Sequence, residues 1–186
     1  TGLLLIATGK NTKKLNDFQN LDKVYSGTIQ LGFKTASYDG ESEPEAVAPV
    51  DQVTIEVIHQ AVSDHFSGEI EQIPPIYSAI KINGKKMYEL ARKGKSVTPE
   101  PRKVTIHSFE TRLTASGVVT FTVHCSKGTY IRSLANDLGT ILGVGGYLSS
   151  LRREKIGEFS IENSMTIDQI CLMAEAFRQQ TELTIE

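Results

Sequence analysis

Apolar residues recur along the chain with two periods, and the switches between them mark the elements. In "KVYSGTIQLGFKT" (23–35) Val24, Ser26, Thr28 and Gln30 oppose Tyr25, Ile29 and Leu31, the two-residue alternation of a half-buried strand. Residues 51–66 set Val53, Val57, Ile58, Ala61 and Val62 on one stripe, the spacing of an amphipathic helix. Two further alternating runs, 103–113 and 118–125, flank Ser116-Gly117 and predict an antiparallel hairpin. Ile131, Leu134, Ala135, Leu138 and Leu142 predict a second helix, and "GYLSSLRREKIGEFSI" (146–161) predicts strand with turns. Shorter helices are predicted over 11–19 and 166–178. The stretch 39–49, with Gly40, Pro44 and Pro49, reads as a solvated loop. Residues 73–94 supply a Pro-Pro break, a short strand, a turn at Asn83-Gly84 and a short helix ended by Gly94. Strands and helices mix without a βαβ rhythm, so the fold class is α+β.

Length and composition change this picture little. A chain of 186 residues suffices for one sizeable core with a small insertion, and 39% hydrophobic and 23% charged residues are those of an ordinary globular domain. The apolar run "GLLLIA" (2–7) is too short to span a bilayer and has no basic flank, so nothing points to a membrane or to secretion. Cys125 and Cys171 belong to no CxxC pair and are expected to be reduced core thiols in a cytoplasmic protein.

Charge matters more. The net charge of −2 conceals a segregation: Asp39 to Glu71 holds nine acidic residues and no Lys or Arg, whereas Lys81 to Lys103 holds eight basic residues against Glu89 and Glu100. The basic segment interleaves Tyr77, Tyr88, Asn83 and Gly84 with its lysines. It could lie along a phosphate backbone, with Lys and Arg giving affinity and Tyr stacking, or be a solvated helix face.

Single residues carry less. His59, His65, His107 and His124 make no HExxH and have no cysteine at ligand spacing, so they read as dispersed and no metal is expected. The glycines of "LGTILGVGG" (138–146) follow a helix, where a dinucleotide loop needs a preceding strand, and so read as a C-cap and turn. Tyr25 reads as a half-buried aromatic with a satisfied hydroxyl. Arg132 falls in the first turn of its helix, off the apolar stripe, where the macrodipole disfavours a cation by a few tenths to about 1 kcal/mol. An anion beside it would relieve this: a structural Asp or Glu, a phosphate, or a carboxylate held for chemistry. Spacing alone favours a structural salt bridge.

Several stretches, in order over residues 1–160, resemble the TruB family of tRNA pseudouridine synthases. "CSKGTYIRSLANDLG" (125–139) is similar to that family's active-site arginine motif and "DKVYSGTIQLGFKTASYDG" (22–40) to its tyrosine-bearing strand. "QIPPIYSAIKINGKKMYELARKG" (72–94) resembles its RNA-gripping thumb insertion and "GGYLSSLRREKIGEF" (145–159) the segment carrying its active-site leucine. The resemblance implies a pseudouridine synthase fold, a mixed, mainly antiparallel sheet flanked by helices. It divides the chain into catalytic core (1–72 and 102–160), thumb (73–101) and C-terminal helical segment (161–186), without a PUA domain. It implies isomerisation of uridine 55 in the tRNA T-loop to pseudouridine by a cytoplasmic monomer, without cofactor or metal, and contact with the T-loop and T-stem.

Roles follow residue by residue from the same resemblance. Tyr25 stacks on the flipped base and is a candidate for proton abstraction at C5, Arg132 pairs with the catalytic aspartate, and Leu151 packs beside the base. Lys127 and Tyr130 support the arginine, and Lys81, Lys85, Lys86, Tyr88, Arg92 and Lys93 bind RNA. Thr1-Gly2 matches the end of the family's G-T-L-D-P-x-A-T-G motif, so the nucleophilic aspartate is expected four residues before Thr1 and this chain alone is expected to be inactive. Asp17, Asp22 and Asp39 belong to other parts of the pattern, and Ala36 stands where the family often has an aspartate. A non-catalytic RNA-binding or tRNA-folding domain is the alternative.

Overall fold

In the computed structural model the described residues are 1–78, 81–82, 85–87 and 99–182, without the side chains of 81, 82, 85, 86 and 179–182. The frame is one six-stranded sheet in the order β10-β9-β1-β8-β7-β4 with every neighbouring pair antiparallel. Its strands are β1 (Lys23–Leu31), β4 (Gly68–Gln72), β7 (Arg102–Ala115), β8 (Val118–Cys125), β9 (Gly146–Ile156) and β10 (Phe159–Ser160). Two small ribbons complete the strands: β2 (Phe33–Lys34) with β3 (Glu45–Ala46), and β5 (Lys81–Ile82) with β6 (Lys85–Lys86). Helices α1 (Leu15–Asn20), α2 (Ile55–His65), α3 (Ile131–Ile141) and α4 (Ile167–Glu182) join them.

The alternation in β1 holds: Ile29 and Leu31 are buried and Tyr25 packs on the same core, while Ser26, Thr28 and Gln30 face outward. Helices α2 and α3 cover the inner face, α2 against β7 and α3 against β9. Ile131, Leu134, Ala135 and Leu138 of α3 are buried as their spacing predicts, and Leu142 packs at the rim. Phe66, Phe109 and Phe121 fill the centre edge to face, with centroids 5.7 and 5.8 Å apart.

Three expectations need correction, and one strand goes unpredicted. The acidic stretch 39–49 is not wholly loop, since Glu45–Ala46 pairs with Phe33–Lys34. Strand β4 carries little sequence signal, because "GEIEQ" is an edge strand with Glu69 exposed and only Ile70 and Gln72 turned toward the core. In α2, capped by Thr54, Ile58 and Ala61 are buried but Val57 is 47% exposed. Cys125 is buried as expected, whereas Cys171 lies exposed on α4.

The apolar run at the start forms no regular element among the described residues. Gly2 bridges Arg153, Leu3 donates its N–H to Arg153 O at 2.8 Å and is buried, and Leu4 and Ile6 are exposed. Among the described residues, no helix is long and apolar enough to cross a membrane. The helix predicted to end at Gly94 lies outside the described residues.

Candidate active site

Arg132 occupies the first turn of α3, which has no side-chain N-cap and no acidic residue in that turn. Its guanidinium is met from elsewhere: Nη1 donates to Asp39 Oδ2 at 3.0 Å and to Ser37 O at 3.3 Å, and Nη2 donates to Tyr77 O at 2.9 Å. The pair is largely screened from solvent, its side chains 22% and 18% exposed. Spacing alone favours a structural salt bridge for Arg132, and Asp39 supplies it from within this chain. Among the described residues Nε and the second Nη2 hydrogen meet no acceptor, leaving one edge of the fork open.

Asp39 is held as firmly as Arg132. Its Oδ1 accepts from the Ser37 hydroxyl at 2.6 Å and from Glu41 N at 3.1 Å, and its carbonyl accepts from Thr35 Oγ1 at 2.8 Å. Tyr38, between Ser37 and Asp39, has φ of 64°, a left-handed conformation that costs a non-glycine residue about 1–3 kcal/mol. Its carbonyl accepts from Leu148 N at 3.0 Å, which fixes this turn against β9.

Helix α3 is stitched to the chain before the basic insertion. Gln72, 1% exposed, accepts from Tyr130 N at 2.7 Å and donates to Tyr130 O at 3.0 Å. Ser133, fully buried, donates to Ile73 O at 2.8 Å. Arg102 stacks 4.4 Å from the Tyr130 ring centroid and donates to Gly128 O. Two of the residues that set the arginine's position, Asp39 and Gln72, have no local sequence signal, because each acts on α3 from a distant part of the chain.

A cavity of about 480 Å³ opens beside the ion pair, lined by Thr1, Asp39, Gly40, Glu41, Arg132 and Leu148–Leu151. Leu151 lies in β9 opposite Gly27, where a Cβ would meet Ser150 O at 2.3 Å, so only glycine lets the strands approach here. The β1–β9 register slips between Thr28 and Ile29, leaving Ser149 as an extra residue on β9 at the rim of the cavity, where its hydroxyl donates to Thr28 O at 3.1 Å and that of Ser150 to Thr28 Oγ1 at 3.0 Å. Thr1 N donates to Leu151 O at 3.0 Å. A larger depression of about 730 Å³ lies over the hydroxyl-rich outer face, near Ser26, Thr28, Thr120 and Thr122, but lacks the arginine–carboxylate pair.

The structure thus brings Arg132 and Leu151 to one cavity and leaves Tyr25 off its lining. Tyr25 shares the inner face with Leu151, two positions along β1 from Gly27, about 7 Å away. Burial raises the pKa of its phenol, opposed by a hydrogen bond from Arg153, so the ring stays neutral at physiological pH. Lys127 Nζ donates to Asn20 Oδ1 at 2.7 Å instead of reaching the cavity. Lys81 faces Lys86, and Ile82 faces Lys85, across the β5–β6 ribbon, while Tyr88, Arg92 and Lys93 lie outside the described residues. The histidines are not all dispersed: His107 and His124 lie side by side, ring centroids 4.5 Å apart.

An antiparallel sheet covered on one face by helices is the architecture of the pseudouridine synthase fold, and here an arginine–carboxylate pair lies beside a cavity at its edge. The fold matches a chain in the crystal structure of a Cbf5-Nop10-Gar1 complex with a TM-score of 0.64 at 26% identity, covering 90% of this chain and 40% of that one. A structure of an H/ACA RNP bound to a substrate RNA shares the fold with a TM-score of 0.55 at 24% identity, over 83% of this chain and 34% of that one. The N-terminal-domain model of the TruB family of pseudouridylate synthases matches residues 1–131, and that of the tRNA pseudouridylate synthase B C-terminal domain matches residues 132–184. The tRNA pseudouridine synthase B of Flavobacterium johnsoniae is 48% identical over 90% of this chain and 72% of its own length. That of Parabacteroides distasonis is 40% identical over all of this chain and 77% of its own. The chain belongs to the TruB family of pseudouridylate synthases.

Proposed function

We propose that the parent enzyme is a tRNA pseudouridine synthase that isomerises uridine 55 of the T-loop, and that its nucleophilic aspartate lies four residues before Thr1. The observation that carries this reading is the shared cavity of Thr1, Arg132 and Leu151, where among the described residues one edge of the Arg132 guanidinium meets no acceptor. A chain arriving at Thr1 would bring a carboxylate within reach of that edge. The relatives named tRNA pseudouridine synthase B support the substrate class.

The reaction breaks C1′–N1, turns the uracil and rejoins it through C5, so the base must leave the T-loop stack at a cost of about a few kcal/mol. Stacking on Tyr25 and apolar contact with Leu151 offset that cost. A carboxylate enclosed by RNA and protein is driven toward its neutral form. A guanidinium at bidentate distance keeps it ionised and aimed. Asp39 and the carbonyls of Ser37 and Tyr77 hold Arg132 ready before the nucleophile and RNA are in place. With its raised pKa, the Tyr25 phenol suits stacking and proton relay better than standing as a free phenolate base. Nothing in this chemistry calls for a cofactor.

Tritium release from T-loop RNA labelled at uracil C5 tests the reading, comparing the 186-residue chain with one extended upstream. The extended chain is expected to turn over and the shorter one to bind without turnover. Turnover by the shorter chain would remove the upstream nucleophile. RNA binding without turnover by the extended chain would favour a non-catalytic tRNA-folding role.

A further inference from the structure

The outer face of the sheet carries a second convergence of side chains with no part in the chemistry above. Its origin is a β-bulge. In the β7–β8 ladder Ile106 pairs with Cys125 and Ser108 with His124, so His107 is an extra residue on β7. The bulge lets Ile106 and Phe109 both enter the core while His107 and Ser108 both point outward. In a regular strand, Ile106 and Phe109 would fall on opposite faces. The re-aimed His107 ring lies 4.5 Å from the His124 ring, tilted by 43°. From a third segment Asp22, just before β1, places Oδ2 at 3.0 Å from His107 Nε2. One ligand atom from each of the three lies within 4.8 Å of the others.

We propose that Asp22, His107 and His124 bind a divalent transition-metal ion of the zinc type, with water completing its coordination. Two imidazole nitrogens and one carboxylate oxygen suit zinc, cobalt or nickel, whereas magnesium and calcium take all-oxygen shells. Ligands about 2.0–2.1 Å from one tetrahedral ion stand about 3.3 Å apart, which the Asp22–His107 pair, at 3.0 Å, reaches by opening slightly. The remaining contraction toward His124 is a side-chain rotation on an open surface, Asp22 and His107 being 44% and 37% exposed. Asp22 is anchored through its carbonyl, which accepts from Gly157 N at 2.9 Å.

Lys23 and Lys127, close to two of the ligands in sequence, are tied elsewhere. Lys23 Nζ donates to Gln19 O at 2.7 Å and Leu21 O at 2.6 Å, and Lys127 Nζ to Asn20 Oδ1 at 2.7 Å. Their positive charge lowers affinity for the ion without blocking its site. Asp22 stands five positions along β1 from Gly27, the partner of Leu151, about 16 Å from the candidate active site. The ion therefore acts as a clip between the start of β1 and the β7–β8 hairpin. It stabilises the fold by mass action and takes no part in turnover.

The test uses the 186-residue chain carrying Cys171→Ser, which removes the exposed thiol as a rival ligand. Calorimetric titration with Zn2+ is expected to show one saturable equivalent and a rise in Tm, and Co2+ to give visible d–d bands. His107→Gln and His124→Gln should each weaken Zn2+ binding by at least about tenfold and abolish the Tm rise, as loss of a ligand does. His59→Gln, on α2, should change neither. Circular dichroism confirms that each variant is folded, and the two histidine variants serve as independent checks. Absence of saturable binding at millimolar Zn2+, or equal affinity in wild type and both variants, overturns the proposal.

Discussion

Arg132 shows how much one side chain's meaning depends on what surrounds it. Its unfavourable place in the first turn of α3 is legible in the sequence, and so is the need for an anion. Which anion is not legible, because Asp39 reaches it only when the turn after β2 folds back onto β9. In an upstream-extended parent chain, Arg132→Lys keeps the charge but loses the planar fork. It is expected to lower turnover by at least about tenfold, or about 1.4 kcal/mol in the barrier, while RNA affinity changes little. Asp39→Asn should act in the same direction in single-turnover assays, and an unchanged rate in both variants would reduce the pair to a structural contact. The cysteines separate by environment. Burial raises the Cys125 thiol from 9.0 to about 11, so it is protonated and unreactive near neutrality, while Cys171 is exposed. A thiol reagent at pH 7.5 should therefore titrate one cysteine in the native protein and two in urea. Because the folded pKa is raised, this group's stabilisation is complete below pH 9 and lost as pH rises toward 11. The loss is up to about 2–3 kcal/mol, measured by urea unfolding, and Cys125→Ala should flatten the slope.

At the scale of elements, periodicity located most strands and helices because it reports which face is buried. It failed where burial on one face was slight, as in β4, and it cannot see contacts between elements. Gly139 illustrates the second failure. Within a helix Gly→Ala ordinarily stabilises by about 1 kcal/mol. Here a Cβ would stand 2.1 Å from Gly146 N and 2.2 Å from Gly145 C, both backbone atoms of the segment entering β9. Gly139→Ala is therefore expected to destabilise by about 3 kcal/mol or more, seen as a Tm fall of at least about 6 °C. A rise in Tm would mean that α3 and β9 are not packed this closely. The same junction places Leu148–Leu151 along the cavity, so the variant should also impair turnover in the extended chain.

At the scale of the whole molecule, charge is sorted along the chain, acidic from 39 to 71 and basic from 81 to 103, around a net charge of −2. A phosphate-binding role for the basic segment predicts steep salt dependence. Neutralising Lys85, Lys86, Arg92 and Lys93 together should lower the slope of log K against log salt by about 3, at roughly 0.7–0.9 per lost contact. An unchanged slope would return the segment to a solvated face. The sequence by itself determined the α+β class, the main helix and strands, the family motifs and the cation in search of an anion. All of these are local patterns, readable because side-chain period and residue type are properties of neighbours in the chain. Only the tertiary structure decided that Asp39 meets Arg132, that Gln72 clamps Tyr130, and that Asp22, His107 and His124 converge on the outer face. Those contacts join residues far apart in sequence. They depend on strand register, on a single bulge in β7 and on a left-handed turn at Tyr38, none of which hydrophobic periodicity encodes.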